Sequence, residues 1–256
     1  TSILRMISIS DYVIFVISKT ISAYDGELII ALENSDIHEG VSIFDQYSDL
    51  ETFDRLFKNY KISKFPKISI EEVKISNKIE TKVNGFKYIS IDKYFVVKGI
   101  GTVIIGFVLG DDIEKGDKLF LLPSLKQCNV KNIQIMDIDT NKARPDSYVG
   151  LALNNVSEKD LENDYALASL NKLSDHFLVR FYKTDFYKDD PFSKQLSCAL
   201  LGKNFAAYLI KNQDRFEIKF NKKIPSLSGK FIIADLSLQP GKNRIVGNIE
   251  IIDSIK

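Results

Sequence analysis

Few residues in this chain have types and spacing suited to covalent chemistry. Its two histidines, His38 and His176, lie far apart in sequence and suggest no catalytic dyad. Cys128 and Cys198 lack the Cys-x-x-Cys spacing of a zinc site. The acidic doublets Asp111-Asp112 and Asp189-Asp190 have turn neighbours and read as turn residues, not as paired acids. No Gly-x-x-x-x-Gly-Lys-Ser/Thr loop is present to cradle phosphates. What remains is binding chemistry. Lys219, Lys222 and Lys223, with Lys242 and Arg244, form the densest basic stretches. Such residues meet phosphates with salt-dependent affinity and without a sequence code. Phe181, Tyr182, Phe186, Tyr187 and Phe192 are spaced to stack bases, although a barrel core and rim would use the same residues.

The elements that position these residues belong to an ordinary folded protein. The chain has 256 residues, 45% hydrophobic and 27% charged, which excludes disorder as the main state. A net charge of +1 gives no global pull toward DNA or a membrane. The distribution is uneven: residues 1–83 sum to −3, residues 84–170 to −2 and residues 171–256 to +6. That asymmetry points to an interaction face in the last third. Two cysteines make no disulfide framework, so a reducing cytoplasmic setting is expected. No apolar run is long enough to span a bilayer, and no secretory signal opens the chain.

Residues 12–17, Tyr-Val-Ile-Phe-Val-Ile, predict a strand buried on both faces. A turn-like stretch, Ser22 to Glu27, precedes Leu28, Ile29, Ala31 and Leu32 at helical spacing, a segment ended by Gly40. Val41, Ile43 and Phe44 start a second strand, and Phe53, Leu56, Phe57 and Tyr60 mark an amphipathic helix. Strand, helix, strand, helix implies parallel pairing. Pro66 and the polar stretch 76–85, ending in Asn-Gly, set a domain boundary.

Beyond it lie short strands: Tyr94–Val97, Thr102–Leu109, Lys118–Leu122 and Val130–Ile138, then Phe177–Phe181, Ala206–Ile210, Phe216–Phe220, Lys230–Leu236 and Asn248–Ile252. Gly/Asp turns between them predict two small barrels. The expected fold is therefore α/β plus mostly β, in three parts: an incomplete α/β segment (1–83), a first antiparallel β-barrel (84–170) and a second (171–256). The first strand has an open inner edge. The chain opens on Thr1, so further chain before it, or a partner strand, is expected to cover that edge.

Residues 91–123 contain Val97-Lys98-Gly99-Ile100-Gly101-Thr102-Val103, then Gly106, Val108-Leu109, Ile113, Gly116-Asp117 and Leu119-Phe120-Leu121-Leu122-Pro123. This pattern resembles the second domain of translation elongation factors of the EF-Tu type, with the selenocysteine-specific SelB branch nearest in texture. Val130 to Gln134, Val149 to Leu153, Val156 and Asp160-Leu161-Glu162 continue it. Gly229 to Leu236 and Arg244 to Ile249 are similar to the closing strands of the family's third domain. Ser10-Asp11, Asp25-Gly26-Glu27 and Glu39-Gly40-Val41 resemble motifs in the back half of its G domain, and the divergent archaeal SelB-like factors fit best.

The resemblance implies an elongation-factor-like protein that binds aminoacyl-tRNA or the ribosome. It implies tRNA-stem contact for the third domain, hence for Lys219, Lys222, Lys223, Lys242 and Arg244. It also places the family's guanine-reading Asn-Lys-x-Asp at Asp45-Gln46-Tyr47-Ser48. There Ser48 replaces the carboxylate that would accept two N–H donors, and Asp49 follows it. No GTPase activity is expected of this chain, and GTP with Mg²⁺ is expected only if upstream residues supply a phosphate loop. A noncatalytic interaction scaffold is one alternative, and a GTP-binding elongation factor whose phosphate loop lies in an upstream segment is the other. Two further departures touch the second domain: Asp146-Ser147-Tyr148 stands for the family's Gly-Asp-Arg turn, and Asn163-Asp164-Tyr165 for its Arg-Gly-Asp. Asp and Asn enter the left-handed region more readily than other side chains. The lost arginine removes a contact near the tRNA-end pocket.

Overall fold

The structure is a computed structural model that describes residues 2–73, 85–239 and 242–255. Most of the polar stretch 76–85 lies outside the described residues. The chain divides into two compact units. The first joins residues 1–79 with 176–221 and 227–255, so it contains the α/β segment and most of the C-terminal barrel. The second spans residues 80–175 with 222–226.

In the first unit, α1 (Ser2–Ile7) leads into β1 (Tyr12–Val16), α2 (Ala23–Glu33), β2 (Glu39–Phe44), α3 (Leu50–Phe57) and β3 (Lys67–Ser69). The strands form a parallel sheet in the order β1-β2-β3, with Phe15 opposite Ser42 and Ser42 opposite Lys67. The expected parallel α/β pattern is present, with three differences of detail. The turn-like stretch is the start of α2. Ser22 caps it, accepting from Asp25 N while Asp25 accepts from Ser22 N at 2.7 Å, a reciprocal capping box. β1 is an edge strand rather than a doubly buried one, and Ile14 and Val16 are exposed. On α3, Phe53 and Phe57 are buried but Leu56 faces solvent.

Helix α2 is apolar on more than one side because it is covered on more than one side. Ile29 and Leu32 pack with Phe15, Ile17, Phe53 and Phe57. Ile30 and Ala31 pack with Leu4 and, from the C-terminal barrel, Ala199, Ile232, Ala234 and Ile245.

That barrel closes in the order β13 (Leu173–Lys183), β16 (Arg215–Pro225), β15 (Lys203–Asn212), β14 (Leu196–Leu200), β17 (Lys230–Ala234) and β18 (Ile245–Ser254). Five of its strands sit where the residue pattern predicts them. β14, Leu-Ser-Cys-Ala-Leu, has no such pattern, because its small residues carry little β-branched or aromatic signal.

The second unit contains β4 (Tyr88–Val97), β5 (Gly101–Val108), β6 (Ile113–Glu114), β7 (Lys118–Leu122), β8 (Gln127–Ile135), β9 (Ile138–Thr140), β10 (Lys142–Ala143), β11 (Tyr148–Asn154), the short α4 (Glu158–Leu161) and β12 (Ala166–Ala168). The sheet order is β11-β5-β4-β12-β7-β8-β9, and β11 also pairs β8, which closes the barrel. Ile89, Ile104, Leu119, Leu121, Ile133 and Leu151 fill its core with no accessible surface. Each such side chain contributes roughly 1.5–3 kcal/mol of burial. The predicted strand Val130–Ile138 is broken in two, since Met136 and Asp137 both adopt positive φ (52° and 63°) and turn the chain.

The motif glycines serve two purposes. Gly99 (φ +82°) and Gly101 (φ +108°) make the expected tight turn. Gly106 lies inside β5, where a Cβ would strike the Ser90 carbonyl, so it serves close strand approach and not a turn. Asp146, where the family has glycine, adopts φ +64°, as expected of an aspartate replacing it; Asp164, at the other lost glycine, does not. Asp146→Val is therefore expected to cost about 1–2 kcal/mol, and Asp146→Gly less than about 1 kcal/mol either way. Urea unfolding of the two variants tests this, and equal costs would remove the left-handed backbone as the reason.

Candidate functional site

The loop at the base-reading position is closed on itself. Asp45 Oδ1 accepts from Tyr47 N at 2.9 Å and from Ser48 Oγ at 3.0 Å. Ser48 Oγ also accepts from Asp45 N at 3.0 Å and lies 2.7 Å from the Ile17 carbonyl, tying the loop to the end of β1. Asp49 caps α3 by accepting from Thr52 N at 3.0 Å. The backbone N–H of Tyr47, then the Ser48 hydroxyl, hold the Asp45 carboxyl below its usual range. The Thr52 N–H does the same for Asp49. Gln46 is exposed. Three of the four polar side chains here are thus committed to holding the loop.

The basic candidates separate. Lys219 and Lys223 are exposed, on alternate positions of β16 that face outward. Lys219 pairs across the ladder with the half-exposed Tyr208. Lys222 Nζ donates to the Asn163 carbonyl at 2.8 Å. Lys242 is exposed. Arg244 commits its guanidinium to a carboxylate, and its side chain is only 20% exposed. It donates from Nε to Glu27 Oε1 at 2.8 Å and from Nη2 to Glu27 Oε2 at 2.7 Å, and its backbone N–H meets the same carboxylate at 3.0 Å. Glu27 is 7% exposed. Burial raises its pKa, but the Arg244 hydrogen bonds and charge outweigh burial and leave it below the ordinary value. This bidentate pair fastens α2 to the C-terminal barrel.

The aromatic cluster divides likewise. Phe181, Phe192 and Phe216 pack together, with Phe192 and Phe216 stacked at 6.0 Å. Tyr187 is buried and donates to Asp235 Oδ2 at 2.8 Å. Tyr182 and Phe186 remain exposed, and the Phe186 ring lies 6.4 Å from that of Tyr60. Cys128 and Cys198 are buried free thiols, and burial pushes Cys128 up to about 12, so neither is a ready nucleophile.

A different site emerges on the barrel of the second unit. A groove of about 410 Å³ is walled by Phe95, Ile100, Val103, Ile105, Met136 and Tyr148, with Asn132 and Gln134 among its polar lining. Met136 is 89% exposed, an unusual position for an apolar side chain without a partner. Tyr148 lies over Phe107 at 4.6 Å and donates to Asp92 Oδ2 at 3.0 Å. Burial, then the Asp92 bond, raises the Tyr148 phenol. The sequence carried a signal for this groove. An antiparallel strand with one wet face alternates apolar and polar residues, yet Val103, Ile105 and Phe107 make the outward positions of β5 apolar too.

No family model matches the chain. It is 33% identical over 168 residues to the uncharacterized protein MJ0325 of Methanocaldococcus jannaschii, covering 64% of this chain and 54% of that protein. It is 32% identical over 113 residues to the selenocysteine-specific elongation factor of the same organism, covering 43% of this chain and 24% of the factor. The chain thus spans about half of one relative and a quarter of the other. Its fold matches the translation elongation factor SelB of Methanococcus maripaludis in the apo form with a TM-score of 0.75 at 16% identity, over 99% of this chain and 67% of that one. Among the described residues, no helix is long and apolar enough to cross a membrane. The chain is thus similar in sequence to a selenocysteine-specific elongation factor over 113 residues, and over nearly its whole length it shares the fold of SelB.

Proposed function

We propose that the chain is an elongation-factor-like module that holds the aminoacyl end of a tRNA, with the groove of the second unit as the seat of that end. The groove carries the proposal: it is concave and lined by exposed aromatic and aliphatic side chains. Rings and apolar walls suit a terminal base and its ester. Lys219, Lys223 and Lys242 are the cations placed to meet phosphates, whereas Arg244 serves the fold. Among the described residues that line the groove there is no Lys or Arg to pair with a selenolate, so the cargo proposed is not selenocysteyl-specific. GTP is not required in this reading, because the base-reading loop spends its polar groups on itself.

Titration of aminoacylated and deacylated tRNA, with and without GTP, at two salt concentrations tests the proposal. The expected result is tighter binding of the aminoacylated form, insensitive to GTP. Lys219→Ala is expected to weaken both forms alike and to reduce the salt slope by about 1. Equal, weak and steeply salt-dependent binding of both forms overturns the proposal. It would favour the scaffold reading, to which the Arg244–Glu27 pairing already lends support.

A further inference from the structure

We infer that two copies of this chain associate edge to edge through β1, pairing antiparallel about Ile14 so that two three-stranded sheets become one of six strands. The inference is independent of the tRNA reading. β1, Tyr-Val-Ile-Phe-Val, is made of the β-branched and aromatic residues that pair best. Among the described residues it pairs only with β2, so one of its edges is open. An open edge is a template for another strand, and proteins blunt it with charge, proline or shortness. The opposite edge of this sheet is blunted in that way: β3 is three residues long and carries Lys67, which pairs with Asp54. β1 has five residues, with no charge and no proline among them.

The backbone shows which residues face that edge. Ile17 donates its N–H to the Ile43 carbonyl at 2.8 Å, so the odd-numbered residues of this stretch bond to β2. By alternation, the N–H and C=O groups of Tyr12, Ile14 and Val16 point to the open edge. Their side chains also share one face. Phe15 points to the other, where its ring packs against Phe53 at 5.8 Å. Ile14 is 57% exposed and Val16 61%. These three residues are self-complementary. With a two-fold axis at Ile14, that residue meets its own copy and Tyr12 meets Val16 of the second copy, each as a hydrogen-bonded pair, and the exposed side chains cover one another. An axis at Phe15 would call on Ser18, whose carbonyl already accepts from Asp49 N at 3.2 Å. Charge favours the same arrangement. Asp11 and Lys19 flank the strand and are exposed. Antiparallel pairing sets the Asp11 end of each copy beside the Lys19 end of the other, whereas parallel pairing would set like charges together. The two-fold closes the assembly, because each copy spends its one unblunted edge on the other.

The test is sedimentation velocity of the full chain over a concentration series, with variants that act on the edge. A small strand interface is expected to give a dimer that dissociates near about 10 μM, at the weak end of specific association. Ile14→Pro removes an outward N–H that the β2 ladder does not use, and is expected to raise the dissociation constant at least about 50-fold. Ile14→Lys is expected to do the same by placing a charge on the edge, which keeps the test available should the proline variant fold poorly. Asp11→Lys is expected to weaken the dimer about five-fold, and adding Lys19→Asp to restore it to within about two-fold of the parent. Oxidation reads the register. Ile14→Cys brings two thiols together with Cα atoms about 5.5 Å apart, within disulfide reach, and is expected to give a covalent dimer. Val16→Cys, about 14 Å from its copy, is expected to give none. The native cysteines are buried and do not compete. A monomer at every concentration overturns the inference. Protected amides at Tyr12, Ile14 and Val16 would then show that a strand of the same molecule covers the edge, and freely exchanging ones that it stays open. A dimer that survives both Ile14 variants, or that crosslinks through Val16→Cys in place of Ile14→Cys, overturns it as well.

Discussion

Replacing Arg244 with alanine is expected to lower the stability of the fold by about 3–5 kcal/mol, because it strands the Glu27 carboxylate in a buried position. Glu27 is 7% exposed, and its two oxygens receive three N–H groups, all from Arg244. Urea unfolding monitored by tyrosine fluorescence gives the measurement, and a change below about 1 kcal/mol would show that water relieves the carboxylate. A double variant, Glu27→Gln with Arg244→Met, is expected to recover most of the loss, since no lone charge remains. pH supplies a second signature. The native Glu27 carboxyl titrates below its ordinary 4.5, so the unfolded chain takes up its proton first on acidification. The stabilisation is complete above that ordinary value and is lost as the pH falls through the lower native one. In Arg244→Ala that part of the acid-sensitive limb disappears. Below the melting range, the same variant is expected to bind tRNA like the parent, because the guanidinium it loses is committed to Glu27.

Asp235→Ala is the second large effect, again about 3–5 kcal/mol. Asp235 has no accessible surface. Its Oδ2 accepts from the Tyr187 hydroxyl at 2.8 Å and from Lys194 Nζ at 3.1 Å, and its Oδ1 accepts from Ser237 N at 3.0 Å and Ser237 Oγ at 2.5 Å. Tyr187 and Lys194 lie in the long connection between β13 and β14, so one carboxylate anchors that connection to the end of β17. Burial works against its ionisation, but the Ser237, Tyr187 and Lys194 bonds prevail and bring its pKa to about 2. Its contribution is fully present above the ordinary 3.8 and is lost as the pH falls toward about 2. Asp235→Asn keeps the shape and an acceptor for Tyr187. It is expected to cost less than the alanine variant and to flatten the acid limb between about pH 4 and 2. An unchanged limb would assign acid sensitivity to other carboxylates.

The sequence by itself determined the order of parts. Regular Gly/Asp punctuation and apolar runs specify short antiparallel strands, because turn backbone angles and a two-residue side-chain period are local properties. The same holds for the strand-helix alternation of residues 10–62, and the left-handed backbone of Asp146 is one its residue type tolerates. Tertiary structure decided what the side chains do. Nothing local distinguishes Arg244, which meets Glu27 some two hundred positions away, from Lys219, which meets water. Their difference comes from burial against α2, a long-range event. Leu56 and Ile14 read as core residues and are exposed, because the three-stranded sheet does not cover every apolar position. The groove shows the two levels together. Its apolar outward positions stand in the sequence as a break in strand alternation. Asn132 and Gln134 of its lining meet Asp139 only once the turn at Met136-Asp137 folds β9 back on β8, since strand register, not residue identity, makes those three neighbours.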